Sequence, residues 1–332
     1  MQPIKRKLSA AMLACVTGAA ALASLPVSAA SSTDDYPTRA VTLLVPQAPG
    51  GANDIVARAI AQYLAQGLGK PVVVENKGGA GGNLGTGIAA RSANDGYTLL
   101  LTAQSAHTIN PALYANIPFD PINDFDPIMV VGEAPYMLVV NPAFPANNLQ
   151  ELIDQARAKP GELNYASAST GTVNHLLGEM LKKSTGIDIV HIPYRGAAAA
   201  ATDVIGGQVP ITFGSFPGLM PFVKNGQLRA LGVATETPTP LAPELPTLDA
   251  TVPGLHAYSW YGLFAPKGTP RPIVDRINQE LVAALKKPAL VEAMRAQGIV
   301  AAPSTPDELA VLLKSDLARW AKIVEESGAS VQ

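Results

Sequence analysis

The sequence predicts an α/β protein built as two doubly wound domains with a hinge and a central cleft. Three observations carry that expectation. Short apolar runs alternate with amphipathic helical patterns along most of the chain, at the spacing of parallel sheet made from right-handed βαβ units. The alternation is interrupted near residue 138 and then resumes. Several of the apolar runs end in glycine-rich or hydroxyl-rich turns that lead directly into a helix start.

The N-terminus comes first and stands apart. Lys5, Arg6 and Lys7 precede an apolar run from Leu8 to Val27, and the small residues Ser28, Ala29 and Ala30 supply a signal-peptidase site. A membrane anchor is disfavoured by Gly18, Pro26 and the many alanines, so residues 1–30 are expected to be a cleaved export signal. The single cysteine, Cys15, lies inside it, so the exported chain is expected to hold no disulfide and no thiolate metal site. Removing the signal takes three positive charges and no negative ones from a chain whose net charge is already −2. An acidic chain is a poor partner for nucleic acid, and no later segment is long and apolar enough to span a bilayer. With 48% hydrophobic and 15% charged residues, the chain can build a full core.

Val41 to Val45 reads as a strand buried on both faces. Pro46 to Gly51 cannot continue it and offers bare backbone; Asn53 or Asp54 is expected to cap the following helix, whose apolar stripe is Ile55, Val56, Ile60, Tyr63 and Leu64. A buried strand, a glycine turn and an immediate helix N-terminus together make a small-anion site. Val72 to Val74 is the second strand, a Gly78–Gly82 loop leads to a helix from Leu84 to Ser92, and Tyr97 to Leu101 is the third strand, followed by a polar loop from Thr102 to His107. Ile128–Val131 and Met137–Val140 are two further strands, the second leaving the first domain. Asn148 with Glu151 forms a capping box. The pattern then repeats: strands at Leu163–Ala166, Ile189–Ile192, Ile211–Phe213 and Leu231–Ala234, each of the first three followed by a turn and a helix. Thr235 to Pro253 is a proline-rich covering loop, and Tyr258–Phe264 the last strand. Two helices finish the chain, opening at Thr269-Pro270 and at Thr305-Pro306-Asp307-Glu308, the second a capping box with proline at its first position. The expected division is residues 1–30 signal, 36–137 domain one, 138–252 domain two, and 253–332 returning to domain one. Two such halves place their strand-to-helix loops on one crevice, the shape of a type II periplasmic binding protein, which closes like a Venus flytrap around a small ligand.

Competing motifs are weaker. Gly85-Thr86-Gly87-Ile88-Ala89-Ala90 fits a loose dinucleotide fingerprint, but it falls inside a helix instead of directly after a strand, so close packing on the sheet is the better reason for its glycines. His107, His175, His191 and His256 never share a helix face, so no metal centre or cofactor is expected. His107 and His175 are expected at the cleft, His191 as a satisfied core residue. Ser169 to Thr172 lacks the context of a nucleophile turn, and its hydroxyls at a helix start suit capping and ligand binding together. Arg195 follows a strand and suits a carboxylate clamp as well as it suits a solvated loop. No paired carboxylates or other catalytic set stands out.

Several runs resemble one family. Val45-Pro46-Gln47-Ala48-Pro49-Gly50-Gly51-Ala52-Asn53-Asp54-Ile55-Val56-Ala57-Arg58 is similar to the first loop and helix of the tripartite tricarboxylate transporter substrate-binding receptors, the Bug receptors. So are Val74-Glu75-Asn76-Lys77-Gly78-Gly79-Ala80-Gly81-Gly82-Asn83, His191-Ile192-Pro193-Tyr194-Arg195-Gly196-Ala197 and Gly262-Leu263-Phe264-Ala265-Pro266-Lys267-Gly268-Thr269-Pro270. The matches run in order from about Tyr36 to the C-terminus. The resemblance implies a periplasmic receptor, without chemistry of its own, that binds a small carboxylated solute and delivers it to two integral-membrane transporter subunits; a monomer is expected because no exposed heptad or long apolar stripe demands an oligomer. Carried over by position, it places ligand contacts at Pro49, Gly50, Gly51, Ala52, Asn53 and Asp54, at Gly81, Gly82 and Asn83, and at Thr102, Ser105 and His107. In domain two it points to Ser169, Thr170, Gly171, Thr172, His175, Tyr194, Arg195, Gly196, Gly214 and Ser215. Many members carry an acidic residue where this chain has Gly214, which implies a plain or aromatic carboxylate over an ammonium-bearing ligand. Rival readings are an exported α/β hydrolase and a sensor signalling to a membrane partner.

Overall fold

The computed structural model describes residues 35–331; the expected signal segment, with Cys15 and the cleavage site, lies outside the described residues. The first strands follow the apolar runs closely. Strands β1 (Val41–Val45), β2 (Val72–Asn76) and β3 (Thr98–Ala103) alternate with helices α1 (Ala52–Leu68) and α2 (Asn83–Ala90). After β3 a π-type turn (Ser105–Ile109) runs into the one-turn helix α3 (Asn110–Leu113), where a polar loop was expected. Next comes β4 (Phe125–Val140), one strand of 16 residues in place of the two expected. Gly132 and Pro135 do not break it, because both of its edges are paired and its register shifts at Pro127/Met129 and Val130/Gly132 absorb the irregularity.

The pattern then recurs as α4 (Leu149–Ala158), β5 (Leu163–Ser167), α5 (Val173–Thr185), β6 (Ile189–Pro193), α6 (Ala197–Ile205), β7 (Ile211–Ser215), α7 (Phe216–Lys224) and β8 (Arg229–Val233). The chain closes with β9 (Tyr258–Pro266), α8 (Arg271–Ala284), α9 (Pro288–Ala296), β10 (Val300–Ala301) and α10 (Pro306–Ser327). Helix α9 and strand β10 were not expected. Pro270, not Thr269, is the N-cap of α8, and the Thr269 hydroxyl donates to the Pro266 carbonyl at 2.7 Å. At α10 the expected capping box is present: Thr305 accepts from the Glu308 amide at 3.2 Å, and Glu308 accepts from the Thr305 amide at 2.7 Å.

The sheet order is β2-β1-β3-β9-β4-β7-β5-β6, with β8 and β10 also paired to β4. Strands β1, β2 and β3 are parallel, as are β5, β6 and β7, which agrees with βαβ construction. Strand β9 runs antiparallel to both β3 and β4, and β4 runs antiparallel to β7. The first part of β4 pairs with β9, whereas Tyr136–Val140 pairs with β7 and β8. One strand therefore belongs to both sets. At the carboxyl ends, Ala103 of β3 stands opposite Tyr261, and Ser215 of β7 stands opposite Tyr136, while Tyr258 and Pro135 are paired. The strand-to-helix loops of both sets are thus aimed at the middle of β4.

Helices α1, α8 and α9 cover one face of the first set through Val56, Ile60, Leu64, Ile277, Leu281 and Met294. Helix α10 covers the other face with Leu309 and Leu313, then continues so that Trp320 and Val324 pack with Leu138, Tyr165 and Leu177 of the second set. Gly85 and Gly87 have the packing role expected of them. A Cβ at Gly85 would strike the Lys77 carbonyl oxygen and lie 2.8 Å from Pro46 Cα, and one at Gly87 would lie 2.7 Å from Pro118 Cγ. Gly85→Ala is expected to lower the stability measured by urea unfolding by about 1–3 kcal/mol, because the obstacle is backbone and the intrinsic helix gain of alanine is about 1 kcal/mol at most. An unchanged unfolding midpoint would show that α2 is free to shift.

Candidate functional site

The β1–α1 turn supplies the first wall. Gly51, in extended conformation at φ −77° and ψ 170°, is the N-cap of α1, and no side chain caps the helix. The expectation that Asn53 or Asp54 caps it is corrected: both lie within the first turn and are buried. The first-turn amides are left for an outside acceptor, at the positive end of the helix. Pro49, Gly50, Gly51 and Ala52 are exposed. Gly50 has φ +83°, which glycine adopts without strain.

Asp54 braces this turn. Its Oδ2 accepts from the Gly50 amide and from Arg58 Nε, each at 2.9 Å, and the Arg58 hydrogen bond holds the carboxyl below the usual carboxylate range. The pair cancels charge, so the helix end keeps its positive character. Asn53 Nδ2 donates to Gln47 Oε1, and Asn76 Nδ2 donates to the Gln47 carbonyl at 3.2 Å. Asn53 Oδ1 and Asp54 Oδ1 are buried acceptors with no protein partner.

The second loop is drawn onto the first. Ala80, Gly81 and Gly82 all have positive φ, and Asn110 Nδ2 donates to the Gly81 carbonyl at 3.1 Å and to Asn83 Oδ1 at 2.8 Å. Gly81 is exposed; Gly82 and Asn83 are buried. Gln47, Asn76 and Asn110 were missed by the sequence reading, since each acts on a partner 6 to 29 residues away. Thr102 and His107 do not border an open loop and are corrected. Thr102 is a strand residue opposite Gly262 with no exposed surface. His107 is stacked on Phe264 at 4.3 Å between ring centres, with Phe119 and Phe125 around it, and burial brings its pKa down to about 4. Ser105, half-buried, opens the π-type turn.

The second set presents its own loops. Tyr194 N donates to the Ser167 carbonyl at 3.0 Å and Gly196 N to the Ala168 carbonyl at 2.8 Å, which ties the β6–α6 turn to the β5–α5 turn. Thr172 is the N-cap of α5 but its hydroxyl donates to the Ser169 carbonyl at 2.7 Å instead of capping, and the Gly171 amide donates to His175 Nδ1 at 3.1 Å. Gly171 sits against Leu113 of α3. Ser169 is exposed, and Thr170 and Thr172 are half-buried. His175 stacks on His191 at 4.0 Å, and burial lowers the pKa of both imidazoles, that of His191 to about 4. Ser167 Oγ lies 2.6 Å from His191 Nε2, the spacing of a nucleophile and base, but Ser167 has no exposed surface. Tyr194 donates to Asp203 at 2.8 Å and its pKa is pushed up to about 12 by desolvation and that carboxylate. Arg195 is exposed, and Gly196 caps α6 with φ +116°.

Gly214 departs from expectation. It is a buried strand residue opposite Met137, and a Cβ there would strike Leu219 of α7. A side chain at 214 would point into the α7 packing, so the inference about ammonium-bearing ligands drawn from this position loses its basis. Ser215, the next residue, is half-buried at the N-cap of α7. A wide groove of about 710 Å³ between α7 and α9 begins one residue further on, at Phe216, and is not lined by the loops above.

The family model for the tripartite tricarboxylate transporter family receptor matches residues 56–329. The chain belongs to this family. The receptor is 38% identical to protein BugT of Bordetella pertussis over 313 residues, covering 94% of this chain and 96% of BugT. It superposes on the solved periplasmic binding protein BugD with a TM-score of 0.74 at 35% identity, covering 90% of this chain and 100% of that one. An R. palustris protein solved with adipate gives a TM-score of 0.77 at 33% identity, covering 89% of this chain and 99% of its own. The expected family and the type of α/β fold are therefore both established.

The brace yields a pH test. A depressed carboxyl pKa contributes stability that is present above the unfolded-state value and is lost as pH falls through the folded-state value. Asp54→Asn is expected to be less stable than the parent by about 1–2 kcal/mol at pH 7, since one ion pair between a buried carboxylate and a half-exposed arginine and one charge-assisted amide bond are weakened. The gap should close when unfolding is measured at pH values below the ordinary carboxylate range.

Proposed function

We propose that the protein is a periplasmic receptor that binds a small carboxylate between two domains and presents it to the membrane subunits of a tripartite transporter, performing no chemistry itself. The observation that carries this reading is the uncapped N-terminus of α1 at exposed Gly50–Gly51, with the nearby Asp54 carboxylate neutralised by Arg58. A carboxylate there meets free amides and a positive dipole end without a competing side chain. The adipate bound to a relative supports the ligand class. Residues 36–137 with 253–332 form one closing body on this reading, and 138–252 the other, hinged at β4 and β9. The signal expected at residues 1–30 and the likeness to a periplasmic protein support export, and no helix among the described residues is long and apolar enough to cross a membrane.

The two walls divide the work. The β1–α1 and β2–α2 turns hold the carboxylate shared by all ligands, with the unpartnered acceptors of Asn53 and Asp54 anchoring water beside it. Ser169–Thr172, His175, Tyr194–Gly196 and Ser215 select among ligands, and Arg195 is the one that takes a second carboxylate.

Gly51 gives a clean test, because a Cβ there meets only the Ala48 carbonyl at 3.6 Å and φ is ordinary for any residue. Gly51→Val should fold normally and weaken every accepted carboxylate about 100-fold or more in calorimetry, equivalent to about 2.7 kcal/mol. Arg195→Ala should leave monocarboxylates within about twofold and weaken dicarboxylates about tenfold, the scale of one charge-assisted contact. Full affinity in Gly51→Val would make this turn scaffold and not site.

A further inference from the structure

The fold leaves the hydroxyl of one tyrosine free. Tyr136 stands on β4 where that strand passes from β9 to the second set, with Pro135 opposite Tyr258 and Tyr136 opposite Ser215. Its backbone is fixed on both edges: β7 pairs with one, and on the other its carbonyl accepts from the Ala234 amide at 2.7 Å. The side chain is half-buried and packs against the core that holds Leu138 and Phe213. Its hydroxyl makes no hydrogen bond to any described residue, yet the oxygen is not one of the unpartnered atoms sealed from solvent. A tyrosine packed in this way normally finds a partner for its hydroxyl. Burial pushes its pKa well above the ordinary value, and Tyr261 adds to the effect, so the group keeps its proton and is a donor at neutral pH.

The strand register fixes what surrounds that hydroxyl. Alternate residues of a strand share a face, so Tyr136 points the same way as Leu138 and Val140. Those two pack with Val173 and Leu176, which puts Tyr136 on the side of the sheet that α5 covers. Ser215, directly across, carries its side chain on the same face, at the about 4.5–5.5 Å between Cβ atoms usual for such a pair. It is the N-cap of α7, but its side chain makes no capping bond. Asn174, in the first turn of α5, donates to the Phe213 carbonyl at 2.6 Å, which ties the start of α5 to the end of β7. The Ser169–Thr172 turn and Ser215 therefore lie on the same side of the sheet as the Tyr136 hydroxyl.

We propose that Tyr136 is a specificity-determining residue on the floor between the two walls, its hydroxyl donating directly to the second carboxylate of a linear dicarboxylate. This rests on the receptor reading above and adds a contact that reading does not contain. The first carboxylate lies at the β1–α1 turn; Tyr136 belongs by its pairing to the second set, so it meets the remote end of the ligand. A carboxylate has about four lone-pair sites, so Arg195 and Tyr136 have room on one group. A donor carried by a strand paired along both edges needs little ordering on binding, which is why a single neutral hydroxyl counts here.

Tyr136→Phe removes the oxygen alone. Because that oxygen bonds nothing within the described residues, the urea unfolding midpoint of the variant should match the parent. Calorimetry with the linear dicarboxylates from malonate to suberate, each set against the monocarboxylate of equal carbon number, then reads the contact. The tightest-bound dicarboxylate should weaken about tenfold or more in Tyr136→Phe, the scale of a hydrogen bond to a charged group, while its monocarboxylate counterpart stays within about twofold. Equal affinities in parent and variant overturn the assignment and leave the receptor reading standing; so does an equal loss for both acids. A parent that binds none of the series overturns it too, with aromatic acids still open to the receptor, whereas a parent that binds no carboxylate at all removes the receptor reading as well. Should the variant prove unstable, a structure of the parent with its tightest-bound dicarboxylate decides the matter. The hydroxyl at hydrogen-bond distance from the remote carboxylate supports the assignment, and any greater separation overturns it.

Discussion

Strand β4 is paired along both edges, and every loop of the candidate site is positioned from it. Its first part holds β9 and β10; its last five residues hold β7 and β8. A strand in that position cannot shift by one residue without turning every buried side chain of both sets to the wrong face. The register that places Ala103 beside Tyr261 and Ser215 beside Tyr136 therefore fixes where the two groups of strand-to-helix turns meet. Helix α10 reinforces the constraint from one side, since it contributes Leu309 and Leu313 to one core and Trp320 and Val324 to another. Backbone pairing plus one long helix is what makes two sheets into one sided arrangement.

Around that frame, the two walls solve opposite electrostatic problems. The first keeps a helix end positive while burying an acid next to it, and does so by pairing Asp54 with Arg58. The second lowers the pKa of two stacked histidines by desolvation and spends the lone pair of His175 Nδ1 on the Gly171 amide. The Gly171 amide is thereby spent, so on the proposed reading the second wall works more through side chains and the first more through backbone. Tyr194, held to Asp203, and exposed Arg195 are such side chains.

Much of this was legible from the chain because the signals are local. Val41–Val45 is buried on both faces and reads as a continuous apolar run; the α10 capping box needs four consecutive residues; the turns at Gly50–Gly51 and Gly81–Gly82 announce themselves by glycine. What was missed depends on partners far away. Nothing near Gly132 or Pro135 says that β4 continues, since the reason is β9, more than a hundred residues later. His107 looked like a loop residue because Phe264, which stacks on it, lies in another strand. The same holds for Gln47, Asn76 and Asn110, whose amides shape the site from outside any motif. Gly214 failed differently: its strand ran two residues longer than its apolar pattern, which turned the position away from the loops and toward Leu219.

These misses share a physical cause that bears on how such a site can change. Gly50, Gly81 and Gly82 are constrained by their positive φ, and a substitution there is limited whatever the ligand. The amide braces are constrained only by reach: Asn110 must span from α3 to Gly81 and Asn83, and Gln47 must meet both Asn53 and Asn76. A shift of either brace would move loop backbone by tenths of an ångström without altering a residue that a ligand touches. Directional contacts to a carboxylate weaken steeply with such displacement, because hydrogen-bond strength depends on both distance and angle. On the proposed reading, selectivity can therefore be set by residues outside the candidate loops, acting through loop position, as well as by the side chains that line them.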